Sequence, residues 1–105
     1  MARLWRVRDR ASFAALRRDG VRRRVGALTF TRLAVEAGGS PVPAVAFSVG
    51  RPVGPAVERN RLRRRLRAII AAADPQPGTY LVSAGPAART LSDQELRALV
   101  AAGLA

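Results

Sequence analysis

An arginine-rich segment, RNRLRRRLR at residues 59–67, is the part of this sequence whose residue types and spacing best indicate chemistry. Six of its nine residues are arginine, and the planar guanidinium group matches phosphate oxygens through two parallel hydrogen bonds. Like charges four residues apart on a helix cost about 0.2–0.5 kcal/mol per pair, and only Glu58 offsets them nearby. A solvated helix face usually mixes both signs of charge, so the segment favours binding of a polyanion over simple solvation.

The remaining side chains offer little for catalysis by the protein itself. The sequence has no cysteine and no histidine, which excludes disulfides, thiol nucleophiles, Cys/His zinc sites and imidazole acid–base chemistry. Its seven carboxylates include no D-x-D pair that would hold catalytic magnesium. We therefore expect neither catalytic residues nor a metal site in this chain, although carboxylates distant in sequence could still meet in space.

Composition indicates one small domain over residues 1–105 that binds an acidic partner. The chain is 49% hydrophobic, and its net charge is +12, with all 19 basic residues being arginine. The basic start, MARLWRVRDR, has no apolar run typical of a signal peptide, and no stretch approaches the roughly 18 apolar residues of a membrane span. We expect a cytoplasmic protein that does not enter a membrane.

Hydrophobic periodicity predicts the first half of the fold. SFAALRRDG (12–20) has the pattern of a short helix with Phe13 and Leu16 on one face and Gly20 as its stop. RRRVGALTFTRLAV (22–35) alternates as a strand, with Leu28 and Phe30 pointing to one side, and EAGGSPVP (36–43) is typical of a loop.

AVAFSVG (44–50) alternates as a second strand with two unlike faces. Val45, Phe47 and Val49 form an apolar face that we assign to the core. Ala46, Ser48 and Gly50 are small, and they leave room for either a closely packed helix or a ligand groove.

A long helix from Ala56 to Ala73 is expected to carry the arginine-rich segment. Its apolar arc consists of Leu62, Leu66, Ile69, Ile70 and Ala73. Arg59 projects from the middle of this arc, and a charge there is too costly to bury alone. Arg59 must therefore emerge at the edge of the core or meet an anion.

The last third of the sequence predicts a strand and a helix. PQPGTYLVSAG (75–85) reads as a turn and a third strand. LSDQELRALVAAGL (91–104) begins with Ser92 as N-cap, Glu95 three residues later, and Leu91 and Leu96 as a hydrophobic staple. Its buried stripe is Leu96, Leu99, Val100 and Leu104. The order α-β-β-α-β-α predicts an α+β domain with one small sheet packed against helices.

Three kinds of polyanion could meet the basic helix. Acidic lipid is disfavoured because the apolar arc is narrow and has no aromatic residue. DNA is disfavoured because the sequence shows no helix-turn-helix, zinc finger or basic zipper. Folded RNA, recognised by shape and phosphate position, fits best.

The segment RNRLRRRLR resembles the signature of the bacterial ribonuclease P protein subunit, which has R-N-R, an aliphatic residue and a basic run. The resemblance extends to FSVGRPVGPAVERNRLRRRLR (47–67), to SFAALRRDG as a first helix, and to YLVSAGPAARTLSDQEL (80–96) as the last strand, loop and helix. It departs from the family at Arg17, where a second aromatic is common, and at Gly50-Arg51-Pro52, where Ser-Lys-Lys is usual.

The resemblance implies a non-catalytic subunit of a tRNA-processing endoribonuclease. In that family the catalyst is an RNA with bound magnesium ions, and it removes the 5′ leader of precursor tRNA. The resemblance also implies a left-handed β-α-β crossover through the basic helix, and it names no further protein partner. The residues implied to face the catalytic RNA are Arg59, Asn60, Arg61, Arg63, Arg64 and Arg67, and those implied for the leader cleft are Phe13, Arg17, Ser48 and Arg51.

A structural RNA-binding protein, such as a small ribosomal protein, remains the alternative. Such a protein needs only the arginine face. A subunit that holds a leader needs a second RNA surface near Phe13 and Ser48.

Overall fold

The fold is a five-stranded mixed sheet with helices on both faces, seen in a computed structural model that describes residues 3–35 and 40–105. Part of the expected loop at 36–43 lies outside the described residues. The elements are β1 (Trp5–Arg6), α1 (Arg10–Asp19), β2 (Val21–Val25), β3 (Leu28–Ala34), β4 (Ala44–Val49), α2 (Ala56–Ala72), β5 (Gly78–Ala84) and α3 (Asp93–Leu104). Short 3-10 turns at Arg51–Val53 and Pro86–Thr90 precede α2 and α3. The predicted α+β class is confirmed.

The strands are arranged in the order β1-β4-β5-β3-β2. β4 is parallel to both β1 and β5, whereas β3 is antiparallel to β5 and to β2. The helix α2 connects the parallel neighbours β4 and β5, which is the β-α-β unit that the family resemblance implies. Its left-handed sense stays a prediction.

The prediction of a single strand over 22–35 is wrong, because this stretch forms a hairpin of the two strands β2 and β3. Val25 pairs with Leu28 across a two-residue turn, and Gly26 takes the positive φ of 57° that such turns favour at this position. The strand β1 was also missed, since two residues carry no readable periodicity. The observed order is therefore β-α-β-β-β-α-β-α.

One face of the sheet packs against α2 and α3 to form the main core. The predicted apolar arc of α2 is confirmed at Leu62, Leu66, Ile69 and Ile70, which are buried. Ala73 is exposed instead, because the helix ends at Ala72 and Ala73 is its C-cap. The sheet and α3 complete the core with Leu28, Phe30, Val45, Val49, Tyr80, Val82, Leu96 and Val100, and Phe47, Leu99 and Leu104 are packed against it while only partly buried.

The other face of the sheet is covered by α1, which packs on β3 and β5. Leu16 is 1% exposed there. Gly20 ends α1 as predicted, and a Cβ at this position would overlap the Leu16 carbonyl oxygen and the Thr31 methyl group. Because α1 lies over β3 and β5, it leaves Ser48 at the end of β4 exposed.

Side-chain caps fix where two of the helices begin. Asp9 accepts a hydrogen bond from the Ser12 backbone N–H at 2.9 Å, so α1 begins at Arg10 rather than at the predicted Ser12. The predicted capping box of α3 is confirmed, because the Ser92 hydroxyl accepts from the Glu95 N–H at 3.1 Å and the Glu95 carboxylate accepts from the Ser92 N–H at 3.0 Å. Among the described residues, no helix has the length and apolar content to cross a bilayer.

Candidate nucleic-acid interface

The polar side of α2 borders a groove at the β4 edge of the sheet, which we call the Phe13 groove. It has a volume of about 430 Å³. Phe13 of α1 lies on one side, and Asn60, Arg63, Arg64 and Arg67 of α2 lie on the other. The remaining lining residues are Arg6, Val7, Val45, Ala46 and Phe47.

The groove is open because β1 is so short. β1 pairs with β4 only at Ala44 and Val45, and the Val7 N–H makes the last contact, at 3.5 Å from the Val45 carbonyl oxygen. Beyond Val45 the edge of β4 has no strand partner on this side within the described part of the chain. The edge therefore offers two half-buried aromatic rings, Phe13 and Phe47, next to several guanidinium groups, which is the composition that holds single-stranded nucleic acid by stacking and charge.

Backbone carbonyls fix two of the guanidinium groups in the Phe13 groove. Arg63 donates to the Val49 carbonyl at 3.4 Å and also to the Asn60 side-chain oxygen. Arg67 donates to the Leu4 carbonyl at 3.0 Å. Arg64 is exposed and makes no hydrogen bond or ion pair to any described residue.

Arg67 also lies near a second positive charge, that of Arg6. Partial burial, followed by repulsion from the neighbouring Arg6 guanidinium, lowers the pKa of Arg67 from its usual value. The side chain still carries its charge at neutral pH, because an arginine in a protein does not lose its proton there. An anion bound between Arg6 and Arg67 would relieve this repulsion.

Arg59 lies at the edge of the core, as one of its two predicted placements requires. The residue is half-buried, and its Nε is buried without a hydrogen-bond acceptor among the described residues. An unsatisfied buried donor costs about 1–3 kcal/mol. An acceptor from a bound partner would remove that cost.

Five of the six residues in the predicted RNA-facing set line two grooves beside α2. Asn60, Arg63, Arg64 and Arg67 line the Phe13 groove, whereas Arg61 lies on the opposite flank of α2 and lines a different groove with Arg65 and Arg89. Arg65 joins α2 to the start of α3, because it donates to the Leu91 carbonyl at 2.7 Å and to the Asp93 carboxylate at 2.9 Å.

The predicted leader-cleft residues are also divided. Only Phe13 lines the Phe13 groove. Arg17 is exposed one turn later on α1, Ser48 is exposed near the end of β4, and Arg51 is exposed in the turn that follows β4.

Ser48 is the first member of a polar row that crosses four adjacent strands. It pairs with Ser83 of β5, Ser83 pairs with Thr29 of β3, and Thr29 pairs with Arg24 of β2. All four side chains lie on the face that carries α1, because directly paired residues share a face. One continuous strand over 22–35 would have placed Arg24 with Leu28 on the core face, so this row could be found only from the hairpin.

Two other residues of the interface were missed by sequence reasoning. Arg6 could have been suggested by the basic start of the chain, although nothing there shows that it pairs with Val45 of β4. Arg89 stands alone in an otherwise small-residue loop and gives no periodic signal. Among the described residues, no group of three or more carboxylate, cysteine or histidine side chains is placed to hold a metal ion.

The sequence is similar to known proteins over much of its length. The ribonuclease P family model matches residues 1–105. The ribonuclease P protein component of Acidothermus cellulolyticus is 42% identical over 97 residues, which cover 90% of this chain and 80% of that protein. That of a Synechococcus species is 45% identical over 67 residues, covering 62% of this chain and 50% of that protein.

Solved structures show the same fold at low identity. The RNase P protein from Staphylococcus aureus superposes with a TM-score of 0.83 at 17% identity, covering 95% of this chain and 92% of that one. The RNase P protein from Thermotoga maritima gives a TM-score of 0.80 at 19% identity and covers 94% of each chain. Because the family model spans every residue and a relative is 42% identical over most of the chain, this chain belongs to the ribonuclease P protein family.

Proposed function

We propose that this chain is the protein subunit of a bacterial ribonuclease P holoenzyme, where it binds the catalytic RNA through α2 and holds the 5′ leader of precursor tRNA. The observation that carries the proposal is the Phe13 groove, in which an aromatic ring of α1 faces four polar or cationic side chains of α2. The groove can stack a base while the guanidinium groups contact phosphates on either side.

The chemistry of this proposal divides between RNA and protein. Magnesium ions held by the RNA would supply the hydrolysis, and this chain would contribute binding and orientation. Phe13 provides a stacking surface, Arg63 and Arg67 are pre-oriented by backbone carbonyls, and Arg64 is free to contact a phosphate. Holding the leader would align the scissile phosphate with the RNA catalyst, which gains rate through positioning.

The proposal is tested by cleavage of a precursor tRNA by a bacterial ribonuclease P RNA at low magnesium concentration. The reaction is run without protein, with the wild-type chain, and with the double variant Asn60→Ala/Arg64→Ala, whose residues are exposed and line the Phe13 groove. Arg97→Ala is the matched control, because it removes one exposed arginine from α3, and no residue of α3 lines this groove.

We expect the wild-type chain and the Arg97→Ala control to restore cleavage at the mature 5′ end, and the double variant to lose most of this effect. Failure of the wild-type chain to stimulate cleavage, while it still binds RNA with a steep salt dependence, would identify a structural RNA-binding protein instead.

A further inference from the structure

The strand β2 forms one edge of the sheet, and within the described chain no strand pairs with its outer side. Val25 and Leu28 are paired directly beside the two-residue turn of the hairpin. They therefore exchange backbone hydrogen bonds, and bonded pairs recur at every second residue from there. The N–H and C=O groups of Arg22 and Arg24 fall between these pairs, so they point away from β3 toward the open edge.

The face of β2 that carries α1 has positive charge without internal compensation. Arg22 lies two residues from Arg24 and shares its face. Both residues are exposed, and the ion pairs of the described chain include neither of them. Arg23 projects to the other face, where the carbonyls of Ala102 and Ala105 accept its hydrogen bonds at 3.0 and 2.8 Å. The open edge therefore carries two unpaired guanidinium groups on the α1 side.

The opposite face of the same edge has an apolar surface. Val21 is 74% exposed there and borders a cavity of about 360 Å³. Phe30 and Leu104 also line this cavity. Arg32 lines it as well, and its guanidinium lies over the Tyr80 ring, 5.6 Å from the ring centre. A strand added to β2 would place the side chains of this face over Val21 and the cavity, which suits aliphatic groups.

The charge and the backbone of the edge select the kind of partner. A second copy of β2 would bring arginines directly opposite arginines, and like charges in this position are destabilising. Phosphate oxygens of RNA accept hydrogen bonds and donate none, so they would leave the outward carbonyls of Arg22 and Arg24 unpaired. A polypeptide strand supplies both donors and acceptors at the spacing of the edge.

We propose that the free edge of β2 binds an extended segment of another protein in which acidic and aliphatic residues alternate. The segment adds as an antiparallel strand. Its acidic residues lie opposite Arg22 and Arg24 and exchange backbone hydrogen bonds with them, while its aliphatic side chains lie over Val21. This surface is at the other side of the sheet from the Phe13 groove, and its use does not depend on the proposed RNA binding.

The proposal is tested with a fluorescent peptide of alternating valine and glutamate, titrated with the full chain and followed by anisotropy. One control peptide has the same composition with its glutamates grouped together. The other keeps the alternating order but is N-methylated at its glutamates, which removes the donors to the Arg22 and Arg24 carbonyls. We expect both controls to bind at least about tenfold more weakly, because backbone hydrogen bonds are lost. Equal binding of the three peptides would show attraction by charge alone and would overturn the inference.

Arg22→Gln tests the contribution of the edge charge. It should weaken binding of the alternating peptide about two- to fivefold, as expected for an exposed ion pair. Arg97→Gln removes an equal exposed charge from α3 and should leave the affinity nearly unchanged. Arg24 is left intact, because it also ends the polar row that begins at Ser48. If Arg22→Gln weakens binding of the catalytic RNA and leaves peptide binding unchanged, the edge serves RNA and the inference fails, while the proposed function stands.

Amide hydrogen exchange, followed by NMR, reports the strand pairing itself. In the free chain the Arg23 amide should exchange slowly, because it is bonded to β3, and the Arg22 and Arg24 amides should exchange quickly. Saturating peptide should slow exchange at Arg22 and Arg24 by about tenfold or more and leave Arg23 nearly unchanged. Unchanged exchange at Arg22 and Arg24 with the peptide bound would place the peptide elsewhere on the molecule and contradict the proposal.

Discussion

At the scale of single residues, Phe13 is the side chain that most directly tests leader binding. It is half-buried on α1 and faces the open edge of β4. Stacking of one base on an aromatic ring contributes about 1–3 kcal/mol. Phe13→Ala should therefore weaken binding of precursor tRNA to the holoenzyme by roughly 5- to 150-fold, with much less effect on mature tRNA, which has no leader.

Two comparisons keep this Phe13 prediction specific. Phe13→Trp keeps a stacking surface and should retain most of the preference for precursor over mature tRNA. Melting curves of both variants check the fold, because Phe13 is partly buried. An equal loss of affinity for precursor and mature tRNA would show that Phe13 does not contact the leader.

Arg24 tests whether the leader continues along the polar row from Ser48. The row crosses three strand spacings of about 4.8 Å each, or about 14 Å in total, which corresponds to roughly two or three nucleotides of extended chain. Arg24→Gln should weaken binding a few-fold for long leaders and leave short leaders unaffected, as measured by affinity against leader length.

The neighbouring Arg23 is the matched control for Arg24. Its side chain projects to the other face of the sheet, where it donates to the carbonyls of Ala102 and Ala105 at 3.0 and 2.8 Å. Arg23→Gln should lower stability through the end of α3 without changing the dependence on leader length. The same loss at every leader length for Arg24→Gln would argue against a path along the row.

At the residue level, helical periodicity was sufficient to separate the buried apolar arc of α2 from its polar side. The family resemblance implied Asn60, Arg63, Arg64 and Arg67 as RNA-facing residues, and these four line the Phe13 groove together. Periodicity could not tell that α2 has two flanks, because it does not identify the neighbour on each side. The resemblance grouped Arg61 with these four residues, whereas in the structure Arg61 lines another groove.

At the scale of elements, strong local sequence signals predicted where helices begin, whereas the pairing of strands could not be predicted. α3 was predicted closely because Ser92, Glu95 and the staple leucines form a complete start signal. The β2–β3 hairpin was missed because Gly26-Ala27 is a weak turn signal between two stretches that both alternate. The two-residue β1 exists only through its pairing with β4, which no local pattern encodes.

The capping box of α3 predicts a specific acid sensitivity. The Ser92 backbone N–H, and then its hydroxyl, lower the pKa of Glu95 from its ordinary value of 4.5. A carboxylate with a lowered pKa in the folded state stabilises the protein above its ordinary pKa, and this stabilisation is lost as pH falls through the lowered value. The free energy of unfolding should therefore decrease as pH falls below 4.5. In the Glu95→Gln variant, the part of this decrease that Glu95 causes should be absent.

Denaturant unfolding at several pH values measures the contribution of Glu95. The N-cap Asp9 is the internal reference, because hydrogen bonds from Ser12 lower the pKa of Asp9 from 3.8 in the same direction. The Glu95→Gln variant should keep the acid dependence that Asp9 causes. Identical pH profiles for this variant and the wild-type chain would mean that the capping box contributes no pH-dependent stability.

At the scale of the whole molecule, internal ion pairs neutralise only a small part of the positive charge. The chain carries a net charge of +12, and its described residues form three ion pairs, Arg18–Asp19, Arg65–Asp93 and Arg89–Glu58. The Cα radius of gyration is 13.0 Å, so the remaining charges repel one another over distances close to the screening length at 0.1 M salt, about 10 Å. This repulsion opposes the folded state and is relieved by bound anions.

We therefore predict that sulfate stabilises the free protein by binding, beyond its general effect as a salt. At a concentration ten times its dissociation constant, one bound ligand adds about 1.4 kcal/mol to the free energy of unfolding. For a domain of this size that corresponds to a rise in melting temperature of roughly 5–10 °C. The measurement is thermal unfolding followed by circular dichroism as sulfate is raised from millimolar to moderate concentration, with sodium chloride at matched ionic strength as the control.

The shape of the sulfate titration distinguishes binding from exclusion of the salt from the protein surface. Binding saturates, whereas exclusion raises the melting temperature steadily up to molar concentrations. Because Arg6 and Arg67 repel each other and Arg64 is unpaired within the described chain, Arg64→Ala should reduce the saturating rise more than Arg97→Ala does. A linear rise, equal in both variants, would show that the clustered arginines of α2 form no anion site in the free protein and depend on folded RNA to supply one.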